Sequence, residues 1–141
     1  FHQHYGRENV VRNNIFAFGR DAQIQRTRAE PHVSFTFERN IIYWRDGDLL
    51  AGSFDDLNFT FDYNLYWREG DGGFHFGGLS LDEWHSRGMD LHSLIEDPLF
   101  VNPHNGDFAL VDNSPAFSLG FRPIDVSTIG PRTSVTSTPD L

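Results

Sequence analysis

The chain has 141 residues, enough for one domain with a buried core, and its composition is 38% hydrophobic and 15% aromatic with no cysteine, which excludes disulfides. The net charge of −9 argues against nucleic acid and anionic membranes as partners, and no apolar run approaches the ~20 residues of a membrane span. All 11 basic residues are arginines, so lysine is excluded as a catalytic base or Schiff-base former.

A short pattern occurs three times: an apolar residue, two variable positions, Asn, an apolar residue and a bulky apolar residue. Its asparagines are Asn14, Asn40 and Asn64, at steps of 40 − 14 = 26 and 64 − 40 = 24. A period in the twenties is typical of solenoids. Because the repeated runs are rich in Val, Ile, Phe, Tyr and Trp and are separated by turn residues, they predict strands. We therefore expect an all-β, three-sheet parallel β-helix of about three coils.

The three asparagines are predicted to form an internal ladder. Coils of a β-helix lie ~4.8 Å apart, so an Asn amide can donate to the Asn of the next coil. An Asn at a bend also tolerates the left-handed conformation. Side chains at three places in each coil are predicted to fill the core. Before each Asn these are Val11, Phe37 and Phe61, and after it they are Ile15, Ile41 and Leu65, or their neighbours Phe16, Ile42 and Tyr66. Ten positions beyond each Asn they are Ile24, Leu50 and Phe74.

Two histidines near the start of the chain form the first candidate site. His2 and His4 are predicted to share one face of a strand, because strand side chains alternate. Such a pair can bind a metal ion or touch a substrate. With no third ligand identifiable in the sequence, no metal site is predicted. The loops at 27–32 and 53–58 are further candidates, since loops on a rigid scaffold commonly carry function.

The repeat ends after Gly78, and a different set of signals follows. Ser80 and Glu83 form a capping box, and Gly88 supplies a helix stop, so a short helix is predicted near 81–87. A strand is predicted at 107–110 and a one-turn helix at 114–120. We therefore predict β-helix coils at 1–78, a C-terminal cap packed on them at 79–130, and a disordered tail at 131–141.

Two features of the chain together resemble a known group of proteins. One is the Asn-Ile-Phe coil repeat. The other is a C-terminal run containing Asp97-Pro98-Leu99-Phe100, Gly106-Asp107-Phe108 and Ser114-Pro115-Ala116. About residues 1–131 look like the C-terminal end of bacterial secreted right-handed parallel β-helix proteins of the pectate-lyase-like superfamily, similar to its β-helix glycoside hydrolases.

This resemblance implies a right-handed β-helix in a secreted or periplasmic bacterial protein. It also implies a polysaccharide or oligosaccharide as the partner. Since the chain starts inside a motif, we expect it to be the C-terminal part of a longer solenoid, stacked on upstream coils of the same protein.

The resemblance implies that the chain is part of a carbohydrate-active enzyme that hydrolyses the glycosidic bonds of a polysaccharide. Such a hydrolase needs two carboxyl groups across the scissile bond, one of them protonated. We expect Asp46 and Asp48 to lie at places in their coil that match Glu69 and Asp71 in the next one. Stacked carboxylates would raise at least one pKa, as an acid catalyst requires. The candidate catalytic residues are Asp46, Asp48, Asp71 and Asp90. The glycoside hydrolase interpretation requires no cofactor.

A sugar-stacking wall is predicted from Trp44, Trp67 and His75, with His4 and Arg26 as further substrate-binding candidates. One alternative is a polysaccharide lyase, with Arg26 or Arg28 as the base and Ca²⁺ neutralising a uronate. The other alternative is a non-catalytic fragment that binds glycans or only contributes structure.

Overall fold

The computed structural model describes residues 1–131, which contain twelve short β-strands, one α-helix and two 3₁₀ helices. From position 132 onward, the predicted tail lies outside the described residues. The α-helix, α1, is Leu81–Ser86, and the 3₁₀ helices are Pro103–Asn105 and Pro115–Leu119. The strands are β1 (His2–Gln3), β2 (Asn9–Arg12), β3 (Ile15–Ala17), β4 (Ala22–Arg26), β5 (Phe35–Glu38), β6 (Ile41–Trp44), β7 (Asp48–Gly52), β8 (Thr60–Asp62), β9 (Leu65–Arg68), β10 (Leu94–Ile95), β11 (Phe100–Asn102) and β12 (Asp107–Leu110).

Ten of the strands form three parallel sheets that wind into a solenoid of about four turns. Sheet A has the order β1-β4-β7, sheet B the order β2-β5-β8 and sheet C the order β3-β6-β9-β10. The predicted fold, an all-β right-handed three-sheet parallel β-helix with short helices in its C-terminal part, is confirmed. The sequence repeat indicated about three coils, and β10 adds part of a fourth by pairing with β9.

The coils stack in the register that the sequence repeat predicts. Val11 pairs with Phe37, and Phe37 pairs with Phe61. All three belong to the interior core, where the ring centroids of Phe37 and Phe61 lie 5.2 Å apart. Burying each such side chain contributes about 1.5–3 kcal/mol. This stack of inward rings accounts for much of the high phenylalanine content.

Asn14, Asn40 and Asn64 are hydrogen-bonded in series along the solenoid axis. The Asn40 side-chain oxygen accepts from the backbone N–H of Asn14 at 3.0 Å and from its Nδ2 at 3.1 Å. The Asn64 oxygen accepts in the same way from Asn40, at 3.1 Å and 3.5 Å. Asn40 and Asn64 are buried, and Asn14 in the first coil is partly buried.

The left-handed backbone position lies one residue before each ladder asparagine. Asn13, Arg39 and Tyr63 have φ angles of 57°, 52° and 55°. The expectation that the ladder asparagines themselves take this conformation is therefore wrong. The bend between sheets B and C precedes them, and their own side chains are committed to the bonds between coils.

The residues after each ladder asparagine alternate between two cores. Phe16, Ile42 and Tyr66 belong to the interior core of the solenoid. Their neighbours Ile15, Ile41 and Leu65 belong to a second core on the outer face of sheet C. This follows from the strand period of two, which sends successive side chains to opposite faces. Both sets are apolar because both faces of sheet C are covered.

The third coil has no strand around Phe74, which was predicted to fill the core as Ile24 and Leu50 do. Ile24 and Leu50 pair in sheet A as expected, but Phe74 belongs to no strand and sits in the loop between β9 and α1. Its ring is partly buried and contacts Trp44, with centroids 5.0 Å apart. Five glycines between positions 70 and 78 weaken strand formation here, because glycine loses more backbone entropy on ordering than other residues. Sheet A therefore ends at β7.

The helix α1 has the predicted capping box and stop. Ser80 Oγ accepts from the backbone N–H of Glu83 at 3.2 Å, and Gly88 follows the helix with a φ of 83°. Trp84 on this helix is 1% exposed. It packs against the aromatic rings of Phe59, Phe61 and Phe76. The α1 segment thus adjoins the interior aromatic stack.

The segment after β10 packs on a different surface, the outer face of sheet C. Ala116 and Leu119, from the predicted one-turn helix, contact the cluster that contains Ile41 and Leu65. The antiparallel hairpin β11–β12 lies beside it, with Phe100 5.3 Å from Tyr43 between ring centroids. Sheet C is thereby covered, whereas the outer face of sheet A carries exposed polar side chains. Within residues 1–131, no helix is both long and apolar enough to cross a membrane.

Candidate functional site

A cleft of about 250 Å³ lies beside β7, where the third strand of coil three is missing. Its walls include three polar side chains of different chemistry, the carboxylate of Asp48, the guanidinium of Arg68 and the imidazole of His75. Asp48 and His75 are exposed. The cleft thus brings together two of the predicted site residues, Asp48 and His75, with Arg68, which was not among the predicted site residues.

The glycine-rich loop that closes this cleft is held by Arg68. The Arg68 Nη1 donates to the carbonyl of Gly73 at 2.6 Å, and its Nε donates to the carbonyl of Arg45 at 3.1 Å. Gly73 has a φ of 56°, a conformation that glycine adopts without strain. Gly72 packs so closely that a Cβ there would lie 3.2 Å from the Arg68 guanidinium. The cluster of glycines after β9 is the signal that could have revealed this wall.

Asp46 and Asp71 are exposed and do not line the cleft. Sheet register explains why the predicted stack of acids does not form. Trp44 pairs with Arg68, so the next residues along, Arg45 and Glu69, are neighbours, with a nitrogen–oxygen distance of 4.0 Å. The expectation that acids of successive coils stack here is wrong, because the acidic turns are offset by one residue.

The side chain of Glu69 instead links Tyr43 of the solenoid to His104 of the 3₁₀ helix beside the β11–β12 hairpin. The Tyr43 hydroxyl donates to Glu69 Oε1 at 2.5 Å, and His104 Nε2 lies 2.8 Å from the same oxygen. Burial, followed by the hydrogen bond and the negative charge of Glu69, raises the pKa of Tyr43. This cluster joins the loop after β9 to the 3₁₀ helix Pro103–Asn105.

Trp44 and Trp67 cannot form one sugar-stacking wall. Tyr43 pairs with Trp67, and Trp44 pairs with Arg68. The two indoles therefore project from opposite faces of sheet C. Trp44 is fully buried in the interior core, and Trp67 is partly buried on the outer side. The prediction that Trp44 binds substrate is wrong, because a side chain with no exposed surface cannot stack on a sugar.

Asp90 lies inside the protein and is 1% exposed. Four donors point at its carboxylate: Asn64 Nδ2 at 3.0 Å, the Tyr66 hydroxyl at 2.8 Å, Trp84 Nε1 at 2.8 Å and Ser93 Oγ at 2.5 Å. A glycosidic bond cannot reach this group without local unfolding. The structure therefore gives Asp90 an interior, structural position rather than a catalytic one.

The pKa of Asp90 is raised, which an acid catalyst requires, but the cause is burial. Desolvation raises the pKa of Asp90, and the four hydrogen bonds only partly offset it. The pKa of Tyr66 is also raised, first by its own burial and then by the negative charge of Asp90. A perturbed pKa marks a functional site only where the group also meets a cleft.

Arg26, predicted to bind substrate or to act as a lyase base, is fully buried inside the solenoid. Its Nη1 donates to Asp56 Oδ2 at 2.9 Å and to the carbonyl of Ser53 at 2.8 Å, and its Nη2 donates to Ser34 Oγ at 3.1 Å. The guanidinium also packs 5.1 Å from the ring centroid of Phe59. These contacts tie the loops at 27–34 and 53–59 together, and no surface is left for a substrate.

His4 is exposed but directly follows β1, which is two strands away from β7 in sheet A. With neighbouring strands about 4.8 Å apart, it is separate from the cleft. The strand predicted to carry both histidines ends at Gln3, so only His2 lies on β1, but both side chains contact Thr27 of the next coil.

A second cavity, of about 790 Å³, is a feature that the sequence analysis missed. It lies between β3, the β12 hairpin strand and residues 121–126. Phe18, Phe108 and Phe117 are among its lining side chains, and Asp107 and Asp112 are its charged ones. This largely apolar lining suits apolar ligands better than a sugar, whose hydroxyl groups require many polar partners.

Among residues 1–131, no group of three or more His, Asp or Glu side chains is arranged to hold a metal ion. Comparisons of the chain with protein-family models, with curated proteins and with solved structures gave no match.

Proposed function

We propose that this β-helix is carbohydrate-active and that it holds a polysaccharide or oligosaccharide in the cleft beside β7. The observation that carries the proposal is the cleft itself, which a carboxylate, a guanidinium and an imidazole line at the edge of a parallel sheet. A few convergent polar groups in a concave surface are typical of small-ligand and sugar subsites. The resemblance to secreted bacterial pectate-lyase-like proteins supports the same ligand class.

The chemistry of the cleft favours a neutral sugar. Asp48 can accept hydrogen bonds from hydroxyl groups, and His75 can donate or accept them. Arg68 is already bonded to the carbonyls of Gly73 and Arg45, which limits its use for a sugar carboxylate. The chain as a whole carries a charge of −9 and would repel an anionic polymer.

Glycoside hydrolysis is the second candidate, favoured by the position of Asp48 in the cleft. The reaction needs two carboxyl groups ~5–9.5 Å apart. In the described part of the chain, Asp48 is the one carboxylate among the lining residues. Hydrolysis would therefore require a second carboxylate that the described lining of this cleft does not supply. Glycan binding needs no such addition and is the better-supported function.

The test uses the purified chain and a panel of neutral and anionic plant and bacterial glycans. Binding is measured by calorimetry, and released reducing ends are measured in parallel. We expect a neutral glycan to bind, and His75→Ala and Asp48→Asn each to weaken that binding at least tenfold. The matched control is Asp71→Asn, which changes an exposed acid of the same loop outside the cleft and should bind like the parent chain.

Two outcomes would overturn the proposal. One is that no glycan of the panel binds. The other is that a glycan binds equally well to the parent chain, His75→Ala and Asp48→Asn. If reducing ends are released, loss of at least ~100-fold in rate for Asp48→Asn would identify it as the acid or nucleophile.

A further inference from the structure

Two imidazoles, one on β1 and one directly after it, point at the same hydroxyl group beside sheet A. His2 Nε2 and His4 Nδ1 each lie 2.9 Å from the hydroxyl oxygen of Thr27. Gln3 between them points inward and is 3% exposed. Thr27 is held beside β1 by its backbone N–H, which donates to the carbonyl of Gln3 at 2.9 Å. The convergence is therefore set by the backbone pairing of two coils, and it does not depend on the cleft beside β7.

We propose that His2 and His4 bind a divalent first-row transition-metal ion beside Thr27. The sequence alone predicted no metal site here, because no third group was identifiable. The structure adds the Thr27 hydroxyl as the point on which both rings converge. Imidazole nitrogen is a preferred ligand of Zn²⁺, Ni²⁺ and Cu²⁺, whereas Ca²⁺ and Mg²⁺ prefer oxygen.

The geometry is close to what such an ion requires. Because both nitrogens are 2.9 Å from one oxygen, they are separated by no more than twice that distance. Binding one ion at ~2.0–2.1 Å from each nitrogen brings them within about 4 Å of each other. Both side chains are exposed, so their rings can turn by this amount without disturbing the core.

The net charge of the whole chain favours cations, although Arg28 brings one positive charge close to His4 by packing on Tyr5. The chain carries a net charge of −9, which raises the local concentration of cations. The basic side chain nearest in sequence to Thr27 on the exposed side, Arg28, packs its guanidinium 4.5 Å from the ring centroid of Tyr5. With two nitrogens and one hydroxyl from the protein, the remaining coordination positions are open to water or to an exogenous ligand.

The test is calorimetric titration of the untagged full chain with Zn²⁺. We expect one ion per chain, reversal by EDTA, and at least a tenfold loss of affinity for both His2→Ala and His4→Ala. The matched control, His85→Ala, removes a histidine of α1 and should leave Zn²⁺ binding unchanged. Titration with Mg²⁺ should give no binding at this site.

A second measurement guards against variants that fail to fold. In the parent chain, Zn²⁺ should shift the imidazole NMR resonances of His2 and His4 and leave that of His85 in place. The proposal is overturned if Zn²⁺ does not bind, if the double variant His2→Ala/His4→Ala binds it as tightly as the parent, or if other histidine resonances shift instead. None of these outcomes bears on glycan binding at Asp48 and His75, so the two proposals fail separately.

Discussion

The side-chain amide of Asn64 donates a 3.0 Å hydrogen bond to the buried carboxylate of Asp90, and the asparagine ladder ends there. In the earlier coils, one Asn oxygen accepts from both the backbone and the side chain of the preceding Asn. In the fourth coil, two different residues accept the backbone and side-chain hydrogen bonds from Asn64. Ser93 Oγ accepts from the Asn64 backbone N–H at 2.8 Å, and Asp90 accepts from its side chain. A serine and an aspartate thus replace one asparagine as the ladder terminates.

Asp90→Ala should be among the most destabilising single substitutions in this chain. It leaves the buried donors of Asn64, Tyr66, Trp84 and Ser93 without their acceptor. Each unsatisfied buried group costs about 1–3 kcal/mol, and the effects overlap, so we expect a loss of at least about 3 kcal/mol in the free energy of unfolding. Urea denaturation measures it, with the exposed Asp71→Ala as the control. A loss below about 1 kcal/mol would contradict the structural role of Asp90.

Asn40→Ala should interrupt the ladder in the middle. The Asn14 backbone and side-chain donors lose their acceptor, and the carbonyl of Val11 loses the bond from Asn40 Nδ2. We expect a loss of about 1–3 kcal/mol in the free energy of unfolding. Asn113→Ala, at an exposed position, provides the matched control and should change stability by less than about 0.5 kcal/mol. Equal stability of the two variants would show that the ladder contributes nothing.

Arg26→Ala should destabilise the protein far more than Arg28→Ala, although the two arginines are only two positions apart. Arg26 is fully buried and paired with Asp56, so removing it costs about 3–5 kcal/mol. Arg28 is exposed over the ring of Tyr5, a contact worth about 0.5–1 kcal/mol. Thermal and urea unfolding of both variants measure the difference. Similar losses for the two would mean that the buried pair is not formed.

The pair of Asp62 and His92 should make stability depend on acid pH. Burial alone would raise the pKa of Asp62, but hydrogen bonds from the side chain and backbone of His92 and from the backbone of Tyr63 outweigh it, so its pKa is lowered. A lowered folded-state pKa contributes stability above the usual Asp value of ~3.9, and this contribution disappears as pH falls through the folded-state value.

The measurement compares the parent chain with Asp62→Asn in urea at several pH values between neutral and about 3. We expect the parent to be the more stable of the two near pH 7 and its advantage to shrink as pH falls below the usual Asp value. Asp71→Asn, at an exposed acid, serves as the reference variant. A stability advantage of the parent that stays constant over this range would rule out the lowered pKa of Asp62.

The parallel β-helix was predictable from the sequence because its determinants recur along the chain. Each coil carries an Asn between inward apolar residues, and the pairing of Val11, Phe37 and Phe61 follows from that spacing alone. The one-residue offset of Trp67 was also visible: it stands three positions after Asn64, whereas Trp44 stands four after Asn40. With a side-chain period of two, that offset sends the two indoles to opposite faces.

The candidate site was decided by tertiary structure. Asp48 and His75 meet in one cleft only because a glycine-rich loop replaces a strand, and Asp90 is withdrawn from solvent by contacts with residues 24 to 26 positions away and with Trp84. Burial of a carboxylate depends on which distant side chains surround it, and no local spacing encodes that. Short-range repetition therefore determined the scaffold of this protein, while long-range packing decided which of its acids is buried and which lines the cleft.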